Sequence, residues 1–184
     1  MSEQASTLAE RPGRVIWITG LAGAGKSSVA RELRERLIAA GRQPILLDGD
    51  ELRTVLGPSI GYTPTERREL AHRYGKLCQA LANQGFDVIC ATISMFHDVH
   101  AWNRSNLPGY CEVYLRVPAT ELARRNQKDL YSGSTSGPVV GVDAPAEEPL
   151  NPDLIVDNFG VETPNKAAAA IAELLKRGFL RDAE

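Results

Sequence analysis

The chain has 184 residues, 43% of them hydrophobic and 24% charged, with a formal net charge of −2. That length suits one domain around a single buried core. The slightly acidic balance excludes a non-specific nucleic-acid binder, which needs a strongly basic face. Met1 to Gly13 is polar and lacks the apolar centre of a signal peptide, and no stretch approaches the length of a membrane span. The expectation is a cytoplasmic protein with no membrane partner: a flexible tail over 1–13 and one domain over 14–184.

Val15-Ile16-Trp17-Ile18-Thr19 reads as a buried strand feeding a helix over 27–40, with Val29, Leu33 and Leu37 on one face and Gly41 ending it. Between them stands Gly20-Leu21-Ala22-Gly23-Ala24-Gly25-Lys26-Ser27, in the G-x-x-x-x-G-K-[ST] spacing. Glycines at those positions let main-chain N–H groups turn inward around phosphates, a lysine meets the phosphate charge, and a serine hydroxyl reaches Mg²⁺. The positive end of the helix, Ser28 included, adds to the same anion site. ATP and Mg²⁺ are therefore the expected cofactors.

Ile45 to Leu47 reads as a second strand, leading into Asp48-Gly49-Asp50. Thr63-Pro64-Thr65-Glu66 is a capping-box pattern with proline at the first helical position, opening a helix through Leu70, Tyr74, Leu77 and Leu81 that Gly85 stops. A strand at 88–91, a short helix at 97–105, a strand at 113–115, a helix at 119–127, a strand at 154–156 and a final helix from Thr163-Pro164 complete the order. Strands alternating with helices imply an α/β fold in three layers, a five-stranded parallel sheet with helices on both faces. Ligands in such sheets bind beyond the carboxyl ends of the strands, where Gly20–Ser27, Asp48–Asp50 and Ile93–Ser94 would meet. The Gly, Ser and Pro-rich run 132–153 has no period, as expected of a lid or binding loop. Cys78, Cys90 and Cys111 sit among apolar neighbours and read as buried free thiols. His97 and His100 lack a partner cysteine or acidic cluster and read as solvated helix residues, not metal ligands.

On these residues the chain resembles the adenylyl-sulfate kinase (APS kinase) family of P-loop kinases. The resemblance covers roughly 14–180 and rests on the phosphate loop, Leu47-Asp48-Gly49-Asp50 with Arg53, and Gly61-Tyr62-Thr63 with Glu66-Arg67. It continues in Ala91-Thr92-Ile93-Ser94, Glu112-Val113-Tyr114-Leu115, Lys128 with Leu130-Tyr131, and Asn151-Pro152-Asp153-Leu154. It implies transfer of the ATP γ-phosphoryl group to the 3′-hydroxyl of adenylyl sulfate, a nucleotide small-molecule acceptor, and a homodimer. Residue by residue, it makes Asp50 the base or metal partner with Asp48 in support, and Lys26 catalytic. Ser94 matches the family serine proposed as a phosphorylated intermediate, although direct in-line transfer needs none. Arg53, Arg67 and Lys128 become clamps for the acceptor's anionic group, guanidinium forks suiting sulfate and phosphate oxygens. Tyr62 replaces a phenylalanine beside the acceptor, Ile93 lines that site, and Arg125 falls near the ATP base.

The departures fall on the acceptor side. Leu70 stands where the family has asparagine, Met95 follows Ser94 in place of proline, and 132–137 replaces a basic lid segment. The aromatic residue that stacks on the acceptor adenine is replaced by Val139 or Val140. Stacking and paired hydrogen bonds each contribute a few kcal/mol to base selection, so their loss bears on adenine. A second reading follows: phosphorylation of the ribose of another activated nucleotide, such as a cytidine diphosphate derivative used in surface-polysaccharide modification. A third, a nucleotide-binding module without a small-molecule acceptor, conflicts with Asp50, Arg53 and Arg67.

Overall fold

The computed structural model of the chain describes residues 13–56, 59–125 and 146–181. Its elements run β1 (Val15–Thr19), α1 (Lys26–Ala39), β2 (Ile45–Asp48), α2 (Gly49–Leu56), α3 (Pro64–Ala82), β3 (Val88–Ala91), α4 (His97–Asn106), β4 (Cys111–Arg116), α5 (Ala119–Arg125), β5 (Leu154–Asp157) and α6 (Pro164–Arg181). The five strands form one sheet in the order β2-β3-β1-β4-β5, every neighbouring pair parallel. All carboxyl ends therefore share one edge, and the central strand β1 delivers the phosphate loop to its middle.

Side-chain alternation along β1 builds the two cores. Ile16 and Ile18 join Val29, Leu33, Leu37, Leu122 and Ile171 beneath α1, α5 and α6. Val15 and Trp17 face the other way, onto Leu52, Leu70, Tyr74, Cys78 and Val99 of α2, α3 and α4. All five residues of β1 are fully buried, as period 2 requires of a strand covered on both faces. At about 2 kcal/mol for each large aliphatic side chain buried, this double-sided packing makes the sheet the stiff platform of the site.

The helix starts follow local chemistry. Thr63 and Glu66 form the expected reciprocal cap, Glu66 N donating to Thr63 Oγ1 and Thr63 N donating to Glu66 Oε2. Residues 49–56, given no element from sequence, form helix α2. Its start resembles a turn in composition, but Asp48 Oδ1 accepts the Asp50 N–H at 3.0 Å, in the manner of a helix N-cap. Asp50 is thus not at the end of a strand but in the first turn of a helix, where its charge suits the dipole. Gly13, counted in the tail from sequence, donates its N–H to Ala82 O at 2.7 Å. The remainder of the tail, Lys128, Leu130-Tyr131, Val139, Val140 and most of the 132–153 segment lie outside the described residues. Among the described residues no helix is long and apolar enough to cross a membrane. The three cysteines are free and buried, as expected. The Cys90 thiol, buried against Cys78, is pushed well up.

Candidate active site

The phosphate loop is a backbone structure that only this composition permits. Gly20, Gly23 and Gly25 take positive φ of 146°, 78° and 90°. A Cβ on Gly20 would meet Leu115 O at 2.5 Å, and one on Gly25 would meet Asn158 Nδ2 at 2.7 Å. Gly25 caps α1 without a side-chain hydrogen bond, and the first helical bond runs from Val29 N to Gly25 O. The amides of Lys26, Ser27 and Ser28 thus open the helix, the orphan donors that bind anions. Lys26 Nζ arches back over the loop, donating to Gly20 O at 2.9 Å and Leu21 O at 2.8 Å. Desolvation pushes its pKa down to about 8, while the nearby carboxylates of Asp50 and Asp48 pull it upward. That influence is consistent with the sheet order, which sets the end of β2 and the start of α2 on the same edge as the loop. The residue types also fit Mg²⁺, which favours hard oxygens and few protein carboxylates: Ser27 follows Lys26 in the first turn of α1, and the Asp48 and Asp50 carboxylates are near enough to favour the ammonium. Among the described residues no cluster of three or more His, Cys, Asp or Glu forms an all-protein metal cage.

Three residues brace the loop from behind. Asn158, at the carboxyl end of β5, donates Nδ2–H to Ala24 O at 2.7 Å. Arg125 donates to Gly23 O at 3.3 Å and to Asn158 O at 2.7 Å, and Glu121 accepts from its Nε at 2.9 Å. Arg125 therefore touches the phosphate loop itself. Asn158 and Glu121 were not singled out from sequence. The available signal for Asn158 was its place just past the last strand, on the ligand-binding edge.

A second group forms where α2 leads into α3. Both guanidiniums expected on the acceptor side approach the Tyr62 ring, Arg53 at 3.9 Å and Arg67 at 5.2 Å from its centre. Arg53 also donates to Ile60 O and Gly61 O, and Arg67 Nε donates to Tyr62 O at 2.9 Å. Burial first, then the charge of Arg53, pushes the Arg67 pKa down. Two crowded cations on an exposed tyrosine make a surface that an anionic ligand would relieve. Leu70, in the family's asparagine position, is 2% exposed and packs in the core beneath α3.

The loop after β3 forms the third wall. Thr19 Oγ1 donates to Ile93 O, and the Thr92 and Ser94 hydroxyls lie 2.8 Å apart. Ser94 is the one non-glycine residue with positive φ (26°) among the described residues. Met95, in the family's proline position, is buried. His97 keeps a half-exposed side chain, but His100, expected from sequence to be solvated, is 6% exposed. Its place on α4 puts it on the buried face with Val99 and Asn103.

Loop, aspartate pair and Ser94 segment thus meet at the carboxyl edge of one parallel sheet. The adenylylsulphate kinase family model matches residues 12–157. The chain belongs to that family. It is 40% identical over 147 residues to the cytidine diphosphoramidate kinase of Campylobacter jejuni, covering 78% of this chain and 85% of that one. It is 36% identical to the adenylyl-sulfate kinase of Paraburkholderia xenovorans, covering 90% of this chain and 95% of the relative. The APS kinase CysC of Mycobacterium tuberculosis, solved with AMPPNP and APS, superposes with a TM-score of 0.81 at 30% identity, over 90% of this chain and 99% of its own. The chain spans about 30% of the length of the bifunctional enzyme NodQ of Azospirillum brasilense, which it matches at 34% identity. The α/β P-loop kinase fold expected from sequence is thereby established for the described residues.

Proposed function

We propose that the protein transfers the γ-phosphoryl group of ATP to the 3′-hydroxyl of adenylyl sulfate. The observation that carries this reading is the capped Asp48–Asp50 pair at the carboxyl end of β2, on the sheet edge that also carries the phosphate loop and near enough to Lys26 for its carboxylates to favour the ammonium. A carboxylate beside the phosphate site, on an edge that also carries Arg53 and Arg67, has the parts that in-line phosphoryl transfer needs.

The α1 amides and Lys26 hold the β- and γ-phosphates. Asp48 fixes the start of α2 and so aims Asp50, which orients the acceptor hydroxyl and takes its proton as the oxygen attacks the γ-phosphorus. The bond to the β–γ bridging oxygen breaks, and ADP leaves. Ser27, with Asp50 nearby, would hold Mg²⁺, which would supply neutralisation of charge on the transferring group. Arg53 and Arg67 clamp the acceptor's anionic end, joined by Lys128 on the family pattern, with Tyr62 and Ile93 alongside. Ser94 lines the site and Arg125 borders the ATP, with a lid role for the 132–153 segment resting on its composition alone. A cytoplasmic homodimer is the assembly that the family pattern suggests.

A second reading has its own support. The cytidine diphosphoramidate kinase is 40% identical, and Leu70 and Met95 turn two of the acceptor-side departures into core. Purified protein with γ-labelled ATP and two acceptors, adenylyl sulfate and cytidine diphosphoramidate, decides. Label on the adenylyl sulfate ribose upholds the first reading; label on the cytidine compound alone replaces it with the second.

A further inference from the structure

His100 and Glu112 stand outside every role assigned so far, yet they form a buried polar chain ending at the active-site loop. His100 Nε2 lies 2.9 Å from Ser94 O. A carbonyl only accepts, so Nε2 carries a proton and donates, and the close approach of Glu112 to the other nitrogen is attractive only with a second proton held between those two. The other ring nitrogen, Nδ1, is 3.0 Å from Glu112 Oε1, off the line of an ideal hydrogen bond, and neither atom has a hydrogen-bond partner elsewhere. Both side chains are buried, at 7% and 4% exposure. Glu112 Oε2 accepts from Arg104, which also grips Asp153, and Asp153 Oδ2 accepts the Glu112 N–H at 2.7 Å. The chain therefore runs from the start of β5 through β4 and α4 to the loop after β3.

Placing two polar side chains so deep, with one atom of each outside hydrogen-bond geometry, carries a cost in stability that an apolar pair would not. What they do sits at Ser94. Its carbonyl accepts from Phe96 N at 3.1 Å as well as from His100, closing a tight turn about Met95. The turn coincides with the positive φ of Ser94, a conformation a serine holds only when its surroundings impose it. On the opposite side Thr19 binds Ile93 O, so the loop is pinned from β1 and from α4.

We propose that His100, oriented by Glu112, is a positioning residue. By holding the Ser94 carbonyl it fixes the Thr92–Ser94 wall against which the acceptor hydroxyl is aligned. This rests on the transfer reading above. The phosphate loop is braced by its own partners, Asn158 and Arg125, and among the described residues makes no hydrogen bond to His100 or Glu112.

Two near-isosteric variants test it. Gln places its amide N–H where Nε2 was and keeps the bond to Ser94 O; Asn reaches only as far as Nδ1 and loses it. His100→Asn is expected to lower kcat/KM for the acceptor about 10- to 100-fold, the scale of a misplaced reacting group, with KM for ATP within about twofold. His100→Gln is expected to recover most of that loss, and Glu112→Gln to fall between them. Equal losses in the Asn and Gln variants, or losses that raise the ATP and acceptor constants together, overturn the proposal. Amide hydrogen exchange over residues 92–96 gives a readout without turnover. Protection kept in His100→Gln and lost in His100→Asn upholds the anchor; equal protection in both overturns it. If the unaltered protein phosphorylates neither acceptor, the transfer reading fails while the exchange result still decides the anchor.

Discussion

The phosphate loop and the proposed acceptor wall belong to the same site but are built from different materials. The loop is main chain: three positive-φ glycines, the opening amides of α1, and Lys26 tied to two carbonyls. Any side chain at Gly20 or Gly25 collides with backbone or with Asn158, so the loop constrains its own sequence. The acceptor wall is side chain: Arg53 and Arg67 over Tyr62, the Thr92–Ser94 hydroxyl pair, and Asp50 at the start of a short helix. A backbone cradle fits any phosphate tail, whereas a wall of side chains is free to be rewritten for another acceptor. Members of one family can therefore share a donor and differ in what they phosphorylate.

The comparison breaks first at its charges. Lys26→Met removes the loop's only lysine, and turnover is expected to fall about 10³-fold, the cost of losing one aimed charge at a transferring group. Steady-state assays that found less than tenfold loss would detach the ammonium from the chemistry. Asp50→Asn is expected to cost about 10²- to 10³-fold in kcat while leaving the affinity for metal-free ATP by calorimetry within about threefold, because its proton-taking role is on the acceptor side. Weakened ATP binding with intact turnover would reverse that assignment. Arg67→Ala removes a charged donor, worth about 1.5–3 kcal/mol, so KM for the acceptor should rise roughly 10- to 100-fold and KM for ATP should stay put. A rise confined to ATP would move this arginine across the site.

Much of this division could be read from the sequence, for a physical reason. A phosphate loop is specified locally, by glycines at fixed spacing between a strand and a helix, and the parallel sheet follows from alternating periods. Residues 49–56 escaped because Gly49 and Asp50 favour turns, and the side chain that makes them helical, Asp48, acts through one hydrogen bond. The burial of His100 escaped because its partners Ser94 and Glu112 come from a loop and a strand six and twelve residues away in sequence. Asn158 is 134 residues from the carbonyl it holds. Local spacing records none of these contacts.

Acidity offers a sharper probe of the same contrast. Folding lowers the Lys26 pKa from its ordinary 10.5 to about 8. The free fold therefore bears the cost of a desolvated ammonium below pH 8 and sheds it as pH rises toward 10.5, the unfolded chain holding the proton longer. Phosphate binding wants the charged form, so ATP affinity should move the opposite way. It should be flat below about pH 8, then weaken by roughly tenfold per unit until the pKa of the bound state is reached. Calorimetry from pH 7 to 9.5 reads this directly, and the trend should vanish in Lys26→Met. A flat profile would mean the ammonium is not coupled to the phosphate.

The smallest expected effect tests whether the loop stands by itself. Asn158→Ala leaves Ala24 O without its buried donor and opens space beside Gly25, where a Cβ would meet the Asn158 amide at 2.7 Å. An unmet buried carbonyl costs about 1 kcal/mol or more. ATP affinity should fall about fivefold, since 1.4 kcal/mol corresponds to tenfold, and the acceptor KM should stay within twofold. Asn158→Asp turns a donor into an acceptor facing the same carbonyl, with a negative charge behind a phosphate site, and should weaken ATP binding further than alanine does. If alanine and aspartate behave alike and like the unaltered protein, the glycine-rich loop holds its shape from its own backbone. The bracing by β5 would then be packing alone.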